Sequence, residues 1–408
     1  MRRIFALLLT LTLCLGLLAL PAAAADSAQV LVTISSAGEL VLTRETVAVT
    51  DVDGDGALTI NDALFCAHEA HYEGGAEAGY ASGMTDYGLS LNLLWGVDNG
   101  GSYGYRVNNA SAWSLADPVK DGDHVYAYSY ADLTAWSDAY TVFDRDTYEV
   151  ALGQTLEVTV SSYGYDADWN QLLLPAAGAA VSAGEAKAVT DGEGRAALTF
   201  HKAGTYLLTA SSDTATLVPP VAVVTVRSFP DTVNHWAADA IEDVAARGLF
   251  SGTGKGFAPG VEMDRAMLVT VLYRLEGKPA VESKADFADV ADAAWYADAV
   301  AWASTEGIIT GYEDGSFRPT APVTRQQLAA ILHRYAVSKG CDVSVGEDTN
   351  ILSYADAPAI SAYAIPAMQW ACGAGLISGV TADTLAPNSS ATRAQVAVIL
   401  GRFVSNVK

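Results

Sequence analysis

The fold of the C-terminal part of the chain is decided by the stretch Phe287–Arg325, which reads FADVADAAWYADAVAWASTEGIITGYEDGSFRPTAPVTR. Three spacings characterise this stretch. The aromatic Trp295 precedes Gly307 by 12 residues, a second glycine follows 4 residues later, and Pro319 precedes Arg325 by 6 residues. A pattern of this length with fixed spacings is worth searching for elsewhere in the chain, because repetition would define a structural unit.

Two further copies of the pattern occur, one upstream over 229–265 and one downstream over 354–393. Both keep the three spacings unchanged. The corresponding residues are Trp236, Gly248, Gly252, Pro259 and Arg265 upstream, and Tyr363, Gly375, Gly379, Pro387 and Arg393 downstream. The last 180 residues are therefore predicted to form three copies of one small unit.

Each unit is predicted to contain two helices. Between the aromatic and the first glycine, apolar residues recur three and four apart, and the glycine suits a helix C-terminus with positive φ. The second helix begins at Thr324 or Thr392, each with Gln three residues later, which predicts a capping box. In the first copy Asp264 can cap, but Met267 cannot reciprocate. One unit is too small to bury its own apolar face, so we expect a shared core, most simply a pseudo-threefold cluster of helices.

The arginines of the repeats require a separate explanation. Arg265, Arg325 and Arg393 each occupy the first position of a predicted helix, where the helix dipole disfavours a positive charge. A cation at this position in all three copies suggests another partner. An arginine beside exposed helix-start amides is a good site for a carboxylate or phosphate. The alternative is an interdomain salt bridge to one of the many acidic residues.

The repeat array resembles the S-layer homology (SLH) domain, the module that ties bacterial surface proteins to cell-wall polysaccharide. The predicted repeats cover 228–280, 285–340 and 350–408. The resemblance implies that the arginine, in a Thr-Arg-Ala-Glu-like motif, contacts a negatively charged, often pyruvylated, wall sugar. In this chain the Glu is replaced by Gln327, Gln395 and Met267. The predicted site comprises the arginines, the helix caps and the aromatic residues: Arg265, Arg325, Arg393, Asp264, Thr324, Thr392, Trp236, Trp295 and Tyr363. The three aromatic residues are also expected to be core residues at the helix starts.

The first 25 residues are predicted to be an export signal. Arg2-Arg3 precede an apolar run and a small-residue cleavage site at Pro21–Ala25. No later stretch approaches the length of a membrane span, so we expect an exported protein that is held by binding. The formal net charge of −24 argues against nucleic acid and anionic membranes as partners. After cleavage Cys66, Cys341 and Cys372 remain, an odd count that favours buried free thiols.

Residues 140–227 read as short strands separated by turns. Examples are Leu156–Val160, which alternates apolar and polar residues, and Gly204–Ala210, which follows the turn at Asp191–Gly194. This segment resembles a bacterial Ig-like β-sandwich. We expect it to act as a spacer that displays the domain before it.

Residues 26–139 are predicted to form a mixed α/β domain, with a helix near Asn61–Tyr72 between strands. The stretch from Gly100–Asn109 to Lys120–Asp123 resembles the DUF4430 family. The resemblance implies a β-grasp-like fold. It covers about 40 residues and matches only a hairpin, so the ligand of this domain stays unknown.

The acidic loop Asp51–Asp62 fits the template of a calcium-binding loop. Oxygen donors stand at the required positions, with glycine at position 6 and a backbone carbonyl at position 7. The predicted ligands of a structural Ca²⁺ are Asp51, Asp53, Asp55, Ala57, Thr59 and Asp62. The alternative is an Asp-Gly turn before a helix. The loop also resembles half of a dockerin, but a dockerin carries two such loops, so cohesin binding is not expected.

Two weaker candidate sites lie nearby. His68 and His71 are three residues apart on the predicted helix and could share a metal with Cys66, although ordinary helix-face residues are the default. The alternating Tyr126, Tyr128 and Tyr130 share one face of a strand. Such a face is more often core than a sugar-binding platform.

These patterns together predict an exported, multidomain bacterial surface protein without enzymatic activity. Three SLH repeats would anchor it noncovalently to a secondary cell-wall polysaccharide and display an N-terminal binding domain. Two alternatives stay open. The first is a wall-anchored enzyme acting on polysaccharide, although no pair of acids has a recognisable glycosidase setting. The second is a structural S-layer subunit, for which the chain is short.

Overall fold

The computed structural model describes residues 27–168, 170–345 and 350–407. The predicted export signal at 1–25 lies outside the described residues. Hydrophobic cores form separately within residues 28–127, 143–226 and 237–403. The chain is therefore multidomain, with a mostly β N-terminal region and a helical C-terminal region.

The N-terminal domain is built on a mixed five-stranded sheet in the order β2-β1-β7-β5-β6. Strand β1 pairs antiparallel with β2 and parallel with β7. The buried residues Val30, Val32 and Ile34 of β1 share one core with Ile60 and Leu64 of α1, which explains why the helix packs across the sheet. The elements are β1 Ala28–Ser36, β2 Glu39–Val49, α1 Ile60–His71, α2 Gly75–Gly79, β3 Tyr80–Thr85, β4 Gly88–Leu94, β5 Tyr103–Val107, β6 Ala110–Ser111 and β7 His124–Ser129.

The middle domain is a β-sandwich, as its alternating sequence predicts. One sheet has the order β11-β10-β8-β16, with β14 also paired to β10, and the other has the order β13-β12-β15-β17-β9. Val158 and Leu198 of the first sheet share a core with Leu208 and Val224 of the second. The strands are β8 Ala139–Phe143, β9 Thr147–Ala151, β10 Thr155–Tyr165, β11 Gln171–Pro175, β12 Ala180–Ala183, β13 Ala186–Val189, β14 Arg195–Thr199, β15 Gly204–Ser211, β16 Leu217–Val218 and β17 Val221–Arg227.

An aromatic cluster joins the N-terminal domain to the sandwich. Tyr126 and Tyr128 of β7 are 3% and 4% exposed and pack against Tyr140 of β8, with ring centroids 5.5 and 5.6 Å apart. The Tyr126 hydroxyl donates to the carbonyl oxygen of Pro219 at 2.5 Å. These tyrosines are therefore core residues of the domain junction, and the alternative of a glycan platform is wrong for this face.

The C-terminal module contains a pair of helices in each repeat. The helices are α3 Ala238–Ala246, α4 Arg265–Leu275, α5 Ala297–Thr305, α6 Arg325–Ser338, α7 Ile365–Gly373 and α8 Arg393–Asn406. The predicted stop glycines have φ values of +70°, +67° and +68° at Gly248, Gly307 and Gly375. Both predicted capping boxes are present, and Asp264 accepts from the Met267 amide at 2.7 Å without reciprocation. Local chemistry thus set these helix ends as predicted.

The three repeats are joined by a closed ring of backbone hydrogen bonds. The Met263 amide donates to the Ala391 carbonyl at 2.8 Å, the Ala391 amide to the Val323 carbonyl at 2.9 Å, and the Val323 amide to the Met263 carbonyl at 2.8 Å. Each of these residues lies two positions before the second helix of its repeat. The helix starts of all three repeats therefore meet at one place, which brings their arginines into the interfaces between repeats.

No helix in the described ranges is both long enough and apolar enough to cross a membrane. The three described cysteines, Cys66, Cys341 and Cys372, are free thiols, as predicted. They are half-buried rather than fully buried.

Candidate functional site

The repeat arginines are buried at the interfaces between repeats. Arg265 is 7% exposed, although it is the first residue of α4. Its Nε donates to the Phe317 carbonyl oxygen at 2.7 Å, and its Nη2 donates to the Thr310 carbonyl oxygen at 3.1 Å. Both acceptors belong to the second repeat. A guanidinium in this position satisfies two backbone oxygens that would otherwise lack a donor in a buried interface.

Arg325 and Arg393 make the same pair of contacts with the next repeat around the ring. The acceptors of Arg325 are the carbonyl oxygens of Leu385 at 2.7 Å and Ser378 at 2.6 Å, in the third repeat. Arg393 donates to carbonyl oxygens of the first repeat, those of Phe257 and Ser251, each at 2.9 Å.

Two interpretations of these arginines from the sequence need correction. The helix-start amides are not open to a ligand, because the amides of Arg265 and Ala266 donate to the carbonyl oxygens of Ala321 and Pro319 at 3.1 and 2.9 Å. The alternative of salt bridges to acidic side chains is also wrong, since the guanidinium partners are backbone oxygens. Sequence spacing gave no sign of this, because the carbonyls lie in another repeat.

A cleft opens beside Arg265 between the repeats, with a volume of about 380 Å³. Arg334 of α6 and Tyr363 of the third repeat also line this first cleft. Burial lowers the pKa of Arg334, and the nearby charge of Arg265 lowers it further. Both side chains stay charged, because an arginine is protonated at any ordinary pH. The cleft therefore combines two guanidinium groups with two aromatic rings, those of Tyr363 and Tyr312.

A second cleft of about 310 Å³ lies at the equivalent place one repeat further on, with Val380 where the first cleft has Tyr312. Arg325, Arg402 of α8 and Trp236 of the first repeat line it, together with Ser378 and Gln395. Each cleft thus takes its buried arginine, its second arginine and its aromatic from different parts of the array. The clefts would not form within a single repeat.

The aromatic residues of the three repeats are exposed, which corrects the prediction that they are core residues. Trp236, Trp295 and Tyr363 are 68%, 64% and 58% exposed. Burial raises the pKa of Tyr363, whereas the charges of Arg334 and Arg265 lower it. An exposed ring beside guanidinium groups can stack on a ligand and keep its polar edge in water.

The capping residues Asp264, Thr324 and Thr392 act within their own helices. Their side chains accept from the backbone amides three residues later, at 2.7, 3.4 and 3.3 Å. They hold the helix start, and through it the arginine, in place. We assign them a structural part in the site.

Sequence reasoning missed a second arginine in each repeat, two of which line the described clefts. Arg274, Arg334 and Arg402 lie nine residues after the first arginine in all three repeats. Each donates to a carbonyl oxygen next to the stop glycine of its own repeat, that of Leu249 at 2.9 Å, of Ile308 at 2.7 Å and of Leu376 at 3.5 Å. The constant nine-residue spacing was the available signal.

The acidic loop brings three of its four carboxylates together. Oxygens of Asp51, Asp53 and Asp55 lie within 4.8 Å of one another and are exposed. The Gly56 amide lowers the pKa of Asp51. Desolvation raises the pKa of Asp53, and repulsion from the neighbouring carboxylates adds to this. Clustered carboxylate oxygens are the ligands that Ca²⁺ prefers, so these three residues fit the ion.

Asp62 and Thr59 take different positions from those that the calcium template predicts. Asp62 is fully buried and accepts from the amides of Val52 at 3.0 Å and Thr59 at 2.8 Å. Thr59 is the N-cap of α1, and its hydroxyl donates to Asp62 at 2.6 Å. The pair forms a capping box that anchors the loop to the helix. Ala57 donates its amide to Asp55 at 2.8 Å.

His68 is a structural residue of the N-terminal core. Its Nε2 accepts from the Trp95 amide at 3.0 Å, so its Nδ1 donates to the Leu64 carbonyl oxygen at 2.6 Å. Burial lowers the pKa of His68 to about 4, which keeps the ring neutral at physiological pH. Because both of its ring nitrogens are engaged in hydrogen bonds, His68 cannot share a metal with His71. His68 is therefore an ordinary structural residue of the helix.

Comparison with known families decides the nature of the repeats. Residues 228–266, 286–329 and 353–397 match the S-layer homology domain. The three repeats are SLH domains. The clefts described above therefore lie between neighbouring SLH domains of one array.

The chain is similar over part of its length to enzymes and to surface proteins. The chain is 30% identical over 178 residues to an amylopullulanase of Thermoanaerobacterium thermosulfurigenes, which covers 43% of this chain and 9% of that enzyme. It is 28% identical over 212 residues to a surface-layer 125 kDa protein of Lysinibacillus sphaericus, covering 51% and 17%. A cellulosome-anchoring protein of Acetivibrio thermocellus is 32% identical over 117 residues, covering 27% and 26%. The chain thus spans less than a third of each relative.

The SLH array and the similarity to surface-layer proteins confirm the predicted location at the cell surface or wall. Among solved structures, the tandem Ig repeats of Dlar align with 50% of this chain and 100% of that chain, at 12% identity. The TM-score of 0.16 is too low to support any argument.

We predict that Arg325→Ala lowers the free energy of unfolding of the SLH array by about 1.5–3 kcal/mol, because the Leu385 and Ser378 carbonyls lose a charged donor in a buried interface. Denaturant unfolding measures this change. The matched control is Arg247→Ala, since Arg247 is exposed and pairs with Asp243 one turn away. The control should change stability by less than about 0.5 kcal/mol. Equal stability losses in the two variants would contradict the structural role of Arg325.

Proposed function

We propose that this chain is an exported surface protein held noncovalently by its SLH domains to an anionic, pyruvylated secondary cell-wall polysaccharide. One observation carries the proposal. In a protein with a formal net charge of −24, two clefts each combine a pair of guanidinium groups with an exposed aromatic ring. Locally concentrated positive charge is what an acidic protein needs in order to bind an acidic polymer.

The chemistry of the clefts suits a sugar that carries a carboxylate. Guanidinium groups recognise carboxylates through charge-assisted hydrogen bonds. In the first cleft the hydrogen bonds of Arg265 to described residues use Nε and Nη2, so Nη1 is the atom that we assign to the ligand. Tyr363 or Trp236 would cover the apolar face of the sugar ring.

We infer that the SLH array is pseudo-threefold and has a third equivalent cleft. The closed ring of Met263, Val323 and Ala391, and the identical contacts of the three buried arginines, support this arrangement. Arg393 and Arg274 would supply the guanidinium groups of the third cleft and Trp295 its aromatic ring. This cleft has Met267 where the other two have glutamine, so we expect weaker polar contacts in it.

For the N-terminal region we propose a non-enzymatic display role. Its sheet order, with β1 parallel to β7 at the centre, supports the β-grasp-like interpretation, and the sandwich would serve as an Ig-like spacer. The similarity to the amylopullulanase covers only 9% of that enzyme, so we do not propose its activity for this chain.

We also propose that the acidic loop binds a structural Ca²⁺ through Asp51, Asp53 and Asp55. The ion would cancel the repulsion between the three carboxylates. Asp62, buried in its capping box, would connect the loop to α1 instead of ligating the ion. We expect the weak extracellular class of site, with a Kd of about 0.1–1 mM.

We predict that Trp236→Ala with Tyr363→Ala weakens binding to purified pyruvylated cell-wall sacculi by at least tenfold, since each ring should contribute about 1 kcal/mol of contact. Because both rings are exposed, the melting temperature should change little. Co-sedimentation measures the affinity. Trp113→Ala is the matched control, as Trp113 is exposed in the N-terminal domain.

The same experiment separates stacking from charge recognition. Sacculi stripped of pyruvyl groups should bind both the wild type and the double variant poorly, because the guanidinium groups lose their partner. Undiminished binding by the double variant to native sacculi would refute the role of the clefts.

We predict that calcium at ten times its Kd stabilises the N-terminal domain by roughly 1.4 kcal/mol through ligand linkage, and that a chelator removes this gain. Scanning calorimetry of the full mature chain measures it. The full chain is needed because Tyr126 and Tyr128 are buried against the sandwich.

Asp53→Ala should abolish the response to calcium, whereas Asp86→Ala, in the exposed β3–β4 turn, should retain it. The SLH transition should not shift in any variant. A wild-type midpoint that is unchanged by calcium would mean that the aspartates form only a solvated turn.

A further inference from the structure

The backbone before each cleft aromatic has to be held in place, because the aromatic side chain itself is exposed. In the third repeat this support comes from Gln326 of α6. Its Oε1 accepts from the Ser361 amide, two residues before Tyr363, at 2.8 Å. Its Nε2 donates to Asn388 at 2.6 Å, and the side chain is 5% exposed. Gln326 therefore fixes the segment that carries Tyr363.

In the first repeat, no glutamine in the described part of the array accepts a hydrogen bond at the equivalent position. The corresponding amide is that of Asn234, two residues before Trp236. Gln326 directly follows Arg325, the buried arginine that bonds to the third repeat. Arg393 is the equivalent arginine that bonds to the first repeat, and the residue that directly follows it is Ala394. A methyl group cannot accept a hydrogen bond, so the array leaves the Asn234 amide without the acceptor that Ser361 has.

The sandwich supplies an acceptor instead. Glu149 of β9 accepts from the Asn234 amide through Oε2 and from Arg227 through Oε1. Arg227 in turn donates to Asp239 of α3 at 2.6 Å. The side chains of Glu149 and Arg227 are only 15% and 11% exposed, so the contact between these two is shielded from water and stronger than a surface pair, whereas Asp239 is 93% exposed.

The held segment is short and leads directly to the cleft. Asn234 has a φ of +56°, a conformation that asparagine tolerates better than most residues but that gains from an external tie. Trp236 is 68% exposed, so few contacts of its own side chain fix its orientation. Whatever holds the backbone at Asn234 therefore helps to position the backbone from which the ring of the second cleft projects.

We propose that Glu149 is a positioning residue for wall binding, through which the sandwich domain orders the Trp236 segment and completes the second cleft. The proposal rests on the proposed function, because it assumes that this cleft binds the wall polymer. A preordered segment binds more tightly, since the ligand does not have to order it. The sandwich is thus a part of the binding apparatus as well as a spacer.

The test compares variants of the full mature chain for binding to purified pyruvylated cell-wall sacculi. Glu149→Ala should weaken binding by about threefold to tenfold, the range expected for one hydrogen bond. Glu149→Gln retains one acceptor oxygen where Asn234 and Arg227 each use one, so its binding should lie between that of wild type and that of Glu149→Ala. Glu157→Ala, at an exposed position of β10, is the matched control and should have no effect.

A double-mutant cycle distinguishes positioning from general destabilisation. If Glu149 acts through Trp236, Glu149→Ala should weaken binding little further once Trp236→Ala is present. Glu149→Asp keeps the charge beside Arg227 but withdraws the acceptor from Asn234, so it should bind as weakly as Glu149→Ala. If Glu149→Ala unfolds the sandwich, Glu149→Asp tests the positioning role in its place.

The outcomes separate this inference from the proposed function. Wild-type binding by Glu149→Asp, or additive losses in the cycle, would overturn the positioning role while Trp236→Ala still weakens binding. If Trp236→Ala and the Trp236→Ala, Tyr363→Ala double variant both bind like wild type, the clefts themselves are not the wall-binding site.

Discussion

The SLH array depends on one interaction, the buried guanidinium of each repeat bonded to two backbone carbonyls of the next. A single repeat has two short helices and cannot enclose a core. Arg265, Arg325 and Arg393 donate to carbonyl oxygens where the repeats meet, so these oxygens can be buried in the interfaces without being left unpaired. The backbone ring and the shared hydrophobic core then close around these contacts.

Under the proposed function, folding and binding share the same residues. Arg265 and Arg325 each join two repeats and line the cleft between them, so we expect their removal to weaken both properties. The exposed aromatics can be changed more independently, since Trp236 and Tyr363 contribute little to the core. The guanidinium groups are held by uncharged carbonyl oxygens and not by acidic side chains. Their positive charge is therefore not neutralised, and an acidic protein can still present a local positive site.

The sequence predicted those features that depend on neighbours along the chain. Stop glycines, capping boxes and the start of α1 follow from chemistry within one or two helical turns. The partners of the arginines could not be predicted, because Arg393 bonds to carbonyls 136 and 142 residues before it. The exposure of Trp236 likewise depends on tertiary packing. The capping box of Thr59 and Asp62 is instead a local motif, which the calcium template obscured. Glu149 has no sequence motif at all, since its role arises where two domains meet.

The central claim is that the guanidinium contacts and the backbone ring make the three repeats one cooperative unit. Native-state hydrogen exchange of the Met263, Val323 and Ala391 amides tests this most directly. A single unit predicts the same opening free energy for all three amides, equal to that of global unfolding of the array. Three different opening free energies, with one repeat opening while the others stay protected, would contradict it.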